Sequence, residues 1–304
     1  MGLTSFLRRR SICLHAVQIA RALNVPCAQG LQPDRNRAVL EELLGGLDFI
    51  DRYMVNDSDR DTYRAWLRGL LSPIMKDVGW EPKSGDTDEQ KTLRARVLYA
   101  LGFNARDPEA LNKARQIADK ALADPSSVDH ELAGTALPLA AINGGPDFYD
   151  KVMAAMKNTK SPEEYYTYFF TLRDFTDPKL VQRTLEFAIS PEVRSQDALQ
   201  LVTGVMRNPA GQELAWNFIR QHWPELEKAG GPFASAQVVQ ATSSFCDAGL
   251  RDQVTDFFTS HKVEAAERSY KQSIERINNC VDLKTQQEPQ LASWLGQHST
   301  AGGK

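Results

Sequence analysis

The sequence predicts an all-α protein built from short antiparallel helices and closed by a longer helix near its C-terminus. From Leu31 onward, apolar residues recur at the spacing of one helix face in nearly every segment. No segment shows the apolar–polar alternation that is typical of a half-buried strand. Polar residues followed by proline recur where helices would begin. Together these observations indicate consecutive helices without a sheet.

The first two helices are predicted from their apolar faces. The segment AVLEELLGGLDFIDRYM carries four apolar residues at helical spacing, which are Val39, Leu43, Leu47 and Ile50. The segment TYRAWLRGLLSPIMKDVGW repeats this pattern with Tyr63, Trp66, Leu67, Leu70 and Leu71. Pro73 lies inside the second segment. Because proline has no N–H to donate, we expect it to break or kink that helix.

Later helix starts are marked by a polar cap residue, then proline, and usually an acid. The full pattern occurs at Asp107-Pro108-Glu109, Ser161-Pro162-Glu163 and Ser190-Pro191-Glu192, with Asp177-Pro178-Lys179, Asn208-Pro209 and Gly145-Pro146-Asp147 as variants. The cap oxygen accepts a free backbone N–H, proline gives up a donor that has no partner there, and the acid faces the positive helix end. We therefore predict a helix beginning at each of these positions.

Many short helices in series favour an α-solenoid, in which antiparallel helices stack. The spacing between helix starts is too uneven for a regular sequence repeat, so we expect an irregular array of the HEAT or armadillo type. The stretch from about Glu264 to Trp294 has no proline before Pro289, which predicts a long helix that closes the array. The predicted organisation is a poorly ordered or presequence-like segment over residues 1–30, the solenoid over 31–297, and a disordered tail over 298–304.

Composition excludes several functional classes. The net charge is −3, so no excess of basic side chains is available to bind nucleic acid. No run approaches the roughly 20 apolar residues that a membrane span needs. The cysteines, which are Cys13, Cys27, Cys246 and Cys280, form no CxxC pair, and we expect buried thiols rather than a disulfide framework.

The N-terminal segment has three arginines, Arg8 to Arg10, before a weakly apolar stretch that polar residues interrupt. This is a poor secretory signal. An Arg-rich targeting presequence explains the composition of this segment slightly better. A translation start assigned upstream of the true domain explains it as well. The segment slightly favours a cytoplasmic protein.

No catalytic constellation is found in the sequence. The pair His130-Glu131 would need a second histidine four residues on to bind zinc, and that position is Gly134. We therefore interpret His130 as a residue of a helix surface. The chain also lacks G-x-S-x-G, G-x-x-x-x-G-K-[ST] and G-x-G-x-x-G.

Several short motifs nevertheless resemble one family in both order and spacing. They are SP at Ser72-Pro73, GWEP at Gly79 to Pro82 with Gly85-Asp86, RSQD at Arg194 to Asp197, NPAG from Asn208, and AWNFIRQHW from Ala215. Over roughly residues 37–297 the chain resembles the C-terminal helical domain of the zinc aminopeptidases typified by puromycin-sensitive aminopeptidase and the endoplasmic-reticulum aminopeptidases.

The catalytic motifs of that family, G-A-M-E-N and H-E-x-x-H, are absent from this sequence. The resemblance therefore implies a detached C-terminal domain with no cofactor of its own, and zinc is expected only in a separate catalytic domain. In the family this domain forms a wall of the peptide chamber. The implied partners are a zinc aminopeptidase catalytic domain and peptides.

Within this chain, the expected substrate contacts are Arg194, Gln196 and Tyr166. Arg194 could pair with a peptide carboxylate, or with Asp197 or Glu192 to fix a turn between helices. Five residues are expected to be structural, namely Trp80, Pro82, Asp197, Trp216 and Trp223.

Two functions follow from this sequence. The first is a chamber wall that controls access of peptides to a zinc aminopeptidase, with no catalytic centre in this chain. The second is a free-standing solenoid that binds peptides or proteins without any link to a peptidase. Association with a catalytic domain would distinguish the two.

Overall fold

The computed structural model describes residues 37–298, without the side chains of residues 37, 229–234 and 298. These residues form helices joined by short turns, with no strand among them, so the all-α prediction is confirmed. The predicted segment 1–30 lies outside the described residues, as do residues 299–304 of the predicted tail. No helix within residues 37–298 combines the length and apolar character that crossing a membrane requires.

Backbone contacts divide the chain into two compact units. Among the described residues, the first contains residues 37–140 and 284–298, and the second contains residues 141–283. The helices of the first unit are α1 (Arg37–Tyr53), α2 (Arg60–Val78), α3 (Asp88–Tyr99), α4 (Pro108–Ala123) and most of α5 (His130–Ile142). A π-helix at Ala100–Asn104 follows α3, and a 3-10 turn at Pro125–Ser127 follows α4.

The cores of α1 and α2 follow the predicted apolar faces. Val39, Leu43, Leu47 and Ile50 are all buried on α1. Helix α2 continues through Pro73 to Val78, so of the two predicted effects the helix break is wrong, and the kink stays a prediction. Pro73 is exposed, and the hydrogen bond that it cannot make is lost on the solvent side. On the other side, buried residues hold the helix in place, namely Leu70, Leu71, Ile74 and Met75.

The turn between α2 and α3 is anchored by a buried arginine. Arg94, 2% exposed, donates to the carbonyl oxygens of Gly79 (3.0 Å) and Val78 (3.3 Å) and to Asp86 Oδ2 (2.5 Å). Gly79 has a φ of 84°, a left-handed value that favours glycine. Of the two residues expected to be structural here, Trp80 is half-buried and Pro82 is exposed.

The second unit contains the remaining helices. They are α6 (Pro146–Asn158), α7 (Pro162–Thr171), α8 (Pro178–Ala188), α9 (Ser195–Arg207), α10 (Gln212–Gln221), α11 (Trp223–Ala241), α12 (Ala248–Ser260) and the first part of α13 (Glu267–His298). Helix α9 packs against its neighbours α8 and α10 and also against α7 and α11. Such contacts with nearby helices are typical of stacked helical arrays, while the solenoid itself stays a prediction.

The predicted caps are confirmed at three full or close matches. Asp107, Ser161 and Asp177 each accept a backbone N–H with the side chain at the start of a helix, with proline at the first position. Gly145 also precedes a helix that begins with proline. Asn208 instead caps a turn, because its side chain accepts from Ala210 N and donates to two carbonyl oxygens in the segment after α7.

The predicted helix start at Ser190 is wrong. Residues 190–193 form a turn in which Val193 N donates to the carbonyl oxygen of Ser190 at 3.1 Å. Helix α9 begins only at Ser195, after Arg194, whose side chain makes no cap bond. The residues Ser190-Pro191-Glu192 have the local pattern of a cap, but at this point the chain must reverse direction between α8 and α9. The short polar segment is used for that turn.

The expectation of buried thiols is also wrong for two cysteines. Cys246 and Cys280 form a disulfide with a Cα–Cα distance of 5.3 Å, and both residues are half-buried. The bond joins the segment before α12 to α13 within the second unit. Packing brings the two residues together across a sequence separation of 34, which no local pattern reveals. Cys13 and Cys27 lie outside the described residues.

Candidate functional site

The described residues show no ready-made metal site. Within them, no group of three or more His, Cys, Asp or Glu side chains could hold a metal ion. His130, the histidine beside an acid, is exposed at the first position of α5. The polar residues at the start of α9 form the candidate site.

Three of the residues singled out from the sequence meet in the second unit. Arg194 Nε donates to Asp197 Oδ2 at 2.8 Å, and Arg194 Nη2 donates to the hydroxyl of Tyr166. The Tyr166 hydroxyl lies 3.4 Å from both carboxylate oxygens of Asp197. Packing of α7 against α9 brings Tyr166 to this pair. These three residues are called the RYD cluster below.

The cluster is buried on one side and exposed on the other. The Asp197 side chain is 2% exposed, whereas that of Arg194 is 61% exposed. The hydrogen bond and the charge of Asp197 raise the pKa of Arg194 above its ordinary value. Asp197 therefore holds the Arg194 guanidinium in place, and Nη1, unlike Nε and Nη2, makes no hydrogen bond to a described residue.

The remaining expected contact, Gln196, and two further tyrosines are close to this cluster in sequence. Gln196 is exposed beside it on the first turn of α9. Tyr165 is half-buried, and burial, followed by the charge of Asp197, raises its pKa. Tyr168 is buried and belongs to the core. Of the two carboxylate partners that the sequence offered for Arg194, the structure shows Asp197. Glu192 pairs instead with Lys157 at 2.6 Å.

Two residues that extend the site were missed from the sequence. The Phe170 ring stacks on Tyr166 with centroids 5.7 Å apart, and the Arg173 guanidinium lies 5.0 Å from the Phe170 centroid. Tyr166, Phe170 and Arg173 follow each other at helical spacing, a signal that was available in YYTYFFTLR. Together with Arg194 they form a line of four side chains in the order Arg194, Tyr166, Phe170 and Arg173, with a cation at each end and two aromatic rings between. This line is called the row below.

Glycine in α9 allows the row to form. The Arg173 side chain lies so close to Gly204 that a Cβ there would come 2.6 Å from Arg173 Cδ. Any other residue at position 204 would push Arg173 aside. The row therefore depends on the close approach of Arg173 to the backbone of α9.

Next to Arg173 lies an acid with a shifted pKa. Loss of solvation raises the pKa of Asp174 to about 6, and Arg173 opposes this shift only in part. The folded-state pKa exceeds the ordinary value of 3.8, so the ionised carboxylate costs stability. That cost is absent below the ordinary pKa, develops as pH rises towards 6, and persists above it.

Asp174→Asn is therefore expected to make the chain more stable than wild type at pH 7.5, by about 1–3 kcal/mol. The gain should vanish below pH 4, where wild-type Asp174 is protonated. Urea unfolding at both pH values measures this difference. Asp252→Asn removes an exposed carboxylate as the control, and an Asp174→Asn gain that persisted at pH 3.5 would contradict the assignment.

The row combines charged and aromatic groups that can bind a ligand. Two guanidinium groups, 61% and 39% exposed, flank two half-buried rings. Guanidinium groups bind carboxylates through paired hydrogen bonds, and aromatic faces accept apolar side chains and extended backbone. This combination suits a ligand that carries both a carboxylate and an apolar group.

Comparisons with known proteins agree with the motifs in the sequence. The family model of the ERAP1-like C-terminal domain matches residues 17–279. Aminopeptidase M1 of Arabidopsis thaliana is 30% identical over 209 residues, covering 66% of this chain and 23% of that protein. Aminopeptidase N of Lactobacillus delbrueckii subsp. lactis is 27% identical over 276 residues, covering 85% of this chain and 31% of that protein.

The match to each of these relatives is partial. Aminopeptidase 2, mitochondrial, of Saccharomyces cerevisiae is 25% identical over 224 residues, covering 72% of this chain and 23% of that protein. The chain thus spans between about a quarter and a third of the length of the curated relatives it matches. Because the family model covers most of the chain, the chain belongs to the ERAP1-like C-terminal domain family of the M1-type aminopeptidases.

Proposed function

We propose that this chain forms part of the wall of a peptide-binding chamber and controls the access of substrates to a zinc aminopeptidase catalytic domain. The catalytic zinc belongs to that domain, and this chain contributes no cofactor and no catalytic centre. The family match over residues 17–279 is the observation that carries this proposal. A rigid helical wall positions a peptide and excludes competing molecules without taking part in bond cleavage.

The RYD cluster supports a direct role in binding peptides. Buried Asp197 orients Arg194, so less side-chain entropy is lost when Arg194 binds a ligand. Its Nη1 edge can donate to a peptide carboxylate, and Tyr166 offers an aromatic surface beside it. Gln196 adds an exposed amide on the same turn.

Peptide binding to the full chain tests this role. We expect a short peptide with a free C-terminus and an N-terminal fluorophore to bind measurably by fluorescence anisotropy. Arg194→Gln should weaken binding at least about tenfold, because a hydrogen-bonded charge pair is lost. Amidation of the peptide C-terminus should weaken wild-type binding to a similar degree.

Arg183→Gln is the matched control. Arg183 is also a half-exposed arginine of the second unit that pairs with a carboxylate, Asp150, and lies over a tyrosine ring. The control should bind the peptide as tightly as wild type. Equal peptide binding by the Arg194→Gln and wild-type chains would contradict the role of the RYD cluster in binding peptides.

Two further measurements test the rest of the proposed function. Chelator-sensitive hydrolysis of an aminopeptidase substrate by the purified chain would contradict the absence of a catalytic centre. Association with a fragment that carries H-E-x-x-H should be detectable by analytical ultracentrifugation. Peptide binding without any such association would instead favour the free-standing scaffold.

A further inference from the structure

A second arginine-rich cluster lies in the first unit, where α1, α2 and the π-helix after α3 meet. It contains Asp51, Arg60, Arg64, Asn104 and Arg106. Asp51 is 7% exposed and accepts from Arg60 Nη1 at 3.3 Å and from Asn104 Nδ2 at 3.2 Å. Its carboxylate is therefore already engaged by two donors.

The remaining arginines of this cluster share the charge of Asp51, which interacts with both Arg64 and Arg106. The Arg64 guanidinium reaches Asp61 Oδ1 only at 3.7 Å, and the Asp61 side chain is fully exposed, which makes the pair weak. Arg106 makes no ion pair with any described residue. Its guanidinium rests on the Phe103 ring, 5.3 Å from the centroid. The cluster thus contains three guanidinium groups and one carboxylate, and a second carboxylate, Asp48, accepts from Asn104 Nδ2 at 2.9 Å beside it.

Two donor atoms of this cluster are buried and unsatisfied. Arg64 Nε and Arg106 Nη1 have no hydrogen-bond partner among the described residues. A buried donor without an acceptor costs free energy, more so when the donor is charged. Burial, and then the charge of Arg64, hold the pKa of Arg106 below its ordinary value. The two guanidinium groups are thus close enough to repel each other.

The backbone holds Arg106 at this position against its own preference. Its φ of 47° is left-handed, which is unfavourable for a residue with a Cβ. The π-helix at Ala100–Asn104 ends just before it, and Asp107 N donates to the carbonyl oxygen of Leu101 at 2.9 Å. Strained residues and π-helical turns are both concentrated at binding and catalytic sites.

We propose that Arg64 and Arg106 together bind a small oxyanion, either a phosphate or a carboxylate. An oxyanion has several acceptor oxygens, so one ion can accept from both unsatisfied donors and neutralise the excess charge. The Arg64 side chain is 25% exposed, so the cluster reaches the surface of the first unit. This site belongs to the first unit and does not depend on the proposed peptide chamber.

Anion-dependent stability of the full chain tests the proposal. Sodium phosphate, sodium succinate and sodium chloride are compared at constant ionic strength and pH. We expect phosphate or succinate, but not chloride, to raise the midpoint of thermal unfolding by several degrees. A rise with phosphate identifies a phosphate site, and a rise with succinate identifies a carboxylate site. No rise with either anion would mean that water occupies the position, and would overturn the proposal.

Arg106→Gly is the decisive variant, because glycine adopts the left-handed backbone without strain and should fold. Isothermal titration of the effective anion should give at least about tenfold weaker binding than wild type. Arg96→Gln removes an exposed arginine of the same unit and should leave binding unchanged. Undiminished binding by the Arg106→Gly chain would overturn the assignment of the site.

Discussion

Replacing both Cys246 and Cys280 with serine is expected to lower the free energy of unfolding by about 3–4 kcal/mol. The disulfide closes a loop with a sequence separation of 34, which restricts the unfolded chain and so stabilises the folded one. Other contacts hold α13 to the same unit, including Ser273 Oγ to the carbonyl oxygen of Val239 at 3.0 Å. The variant should therefore still fold. Urea unfolding monitored by circular dichroism measures the change.

Reductant provides the control for this prediction. Reduced wild type and the double variant should unfold at nearly the same urea concentration. The double variant should not respond further to reductant in this transition. Equal stability of the oxidised wild type and the double variant would mean that the bond does not stabilise the second unit.

Trp216→Ala is expected to destabilise the chain by about 3–5 kcal/mol. The Trp216 side chain is fully buried, and Nε1 donates to Gln253 Oε1 at 3.1 Å. Its ring contacts the rings of Phe245, Phe257 and Phe258. Truncation would leave a large cavity between α10 and α12, which rigid helices fill only in part. Chemical unfolding at pH 7 gives the size of the loss.

Trp80→Ala serves as the matched control for this cavity. Trp80 is half-buried in the turn after α2, so less apolar area is lost and solvent can fill the space. We expect a loss below about 1.5 kcal/mol. Similar losses for the two variants would argue against a tightly packed core around Trp216.

Helices and cores could be predicted from the sequence because they depend on local spacing. The apolar face of α1 and the caps at Asp107, Ser161 and Asp177 follow from residues a few positions apart. The start of α9 could not be predicted in this way. Ser190 carries the local pattern of a cap, but the turn between α8 and α9 uses it, and the helix begins at Ser195.

The candidate site shows the same division between local and distant information. The sequence offered the local pair of Arg194 with Asp197 as one alternative, whereas only packing of α7 against α9 shows that Tyr166 meets them. Phe170 and Arg173 were predictable in principle, since they lie on the same helical face as Tyr166. The unsatisfied donors of Arg64 and Arg106 were not, because they depend on three segments that are distant in sequence.

The Cys246–Cys280 bond also bears on where the protein can work. Disulfides persist in oxidising compartments, such as the periplasm, the endoplasmic reticulum and the extracellular space, and are rare in the cytosol. The cross-linked form is therefore expected where thiols are oxidised, against the slight preference for the cytoplasm drawn from the N-terminal segment. In a reducing compartment, α13 would be held to the second unit by packing and hydrogen bonds alone.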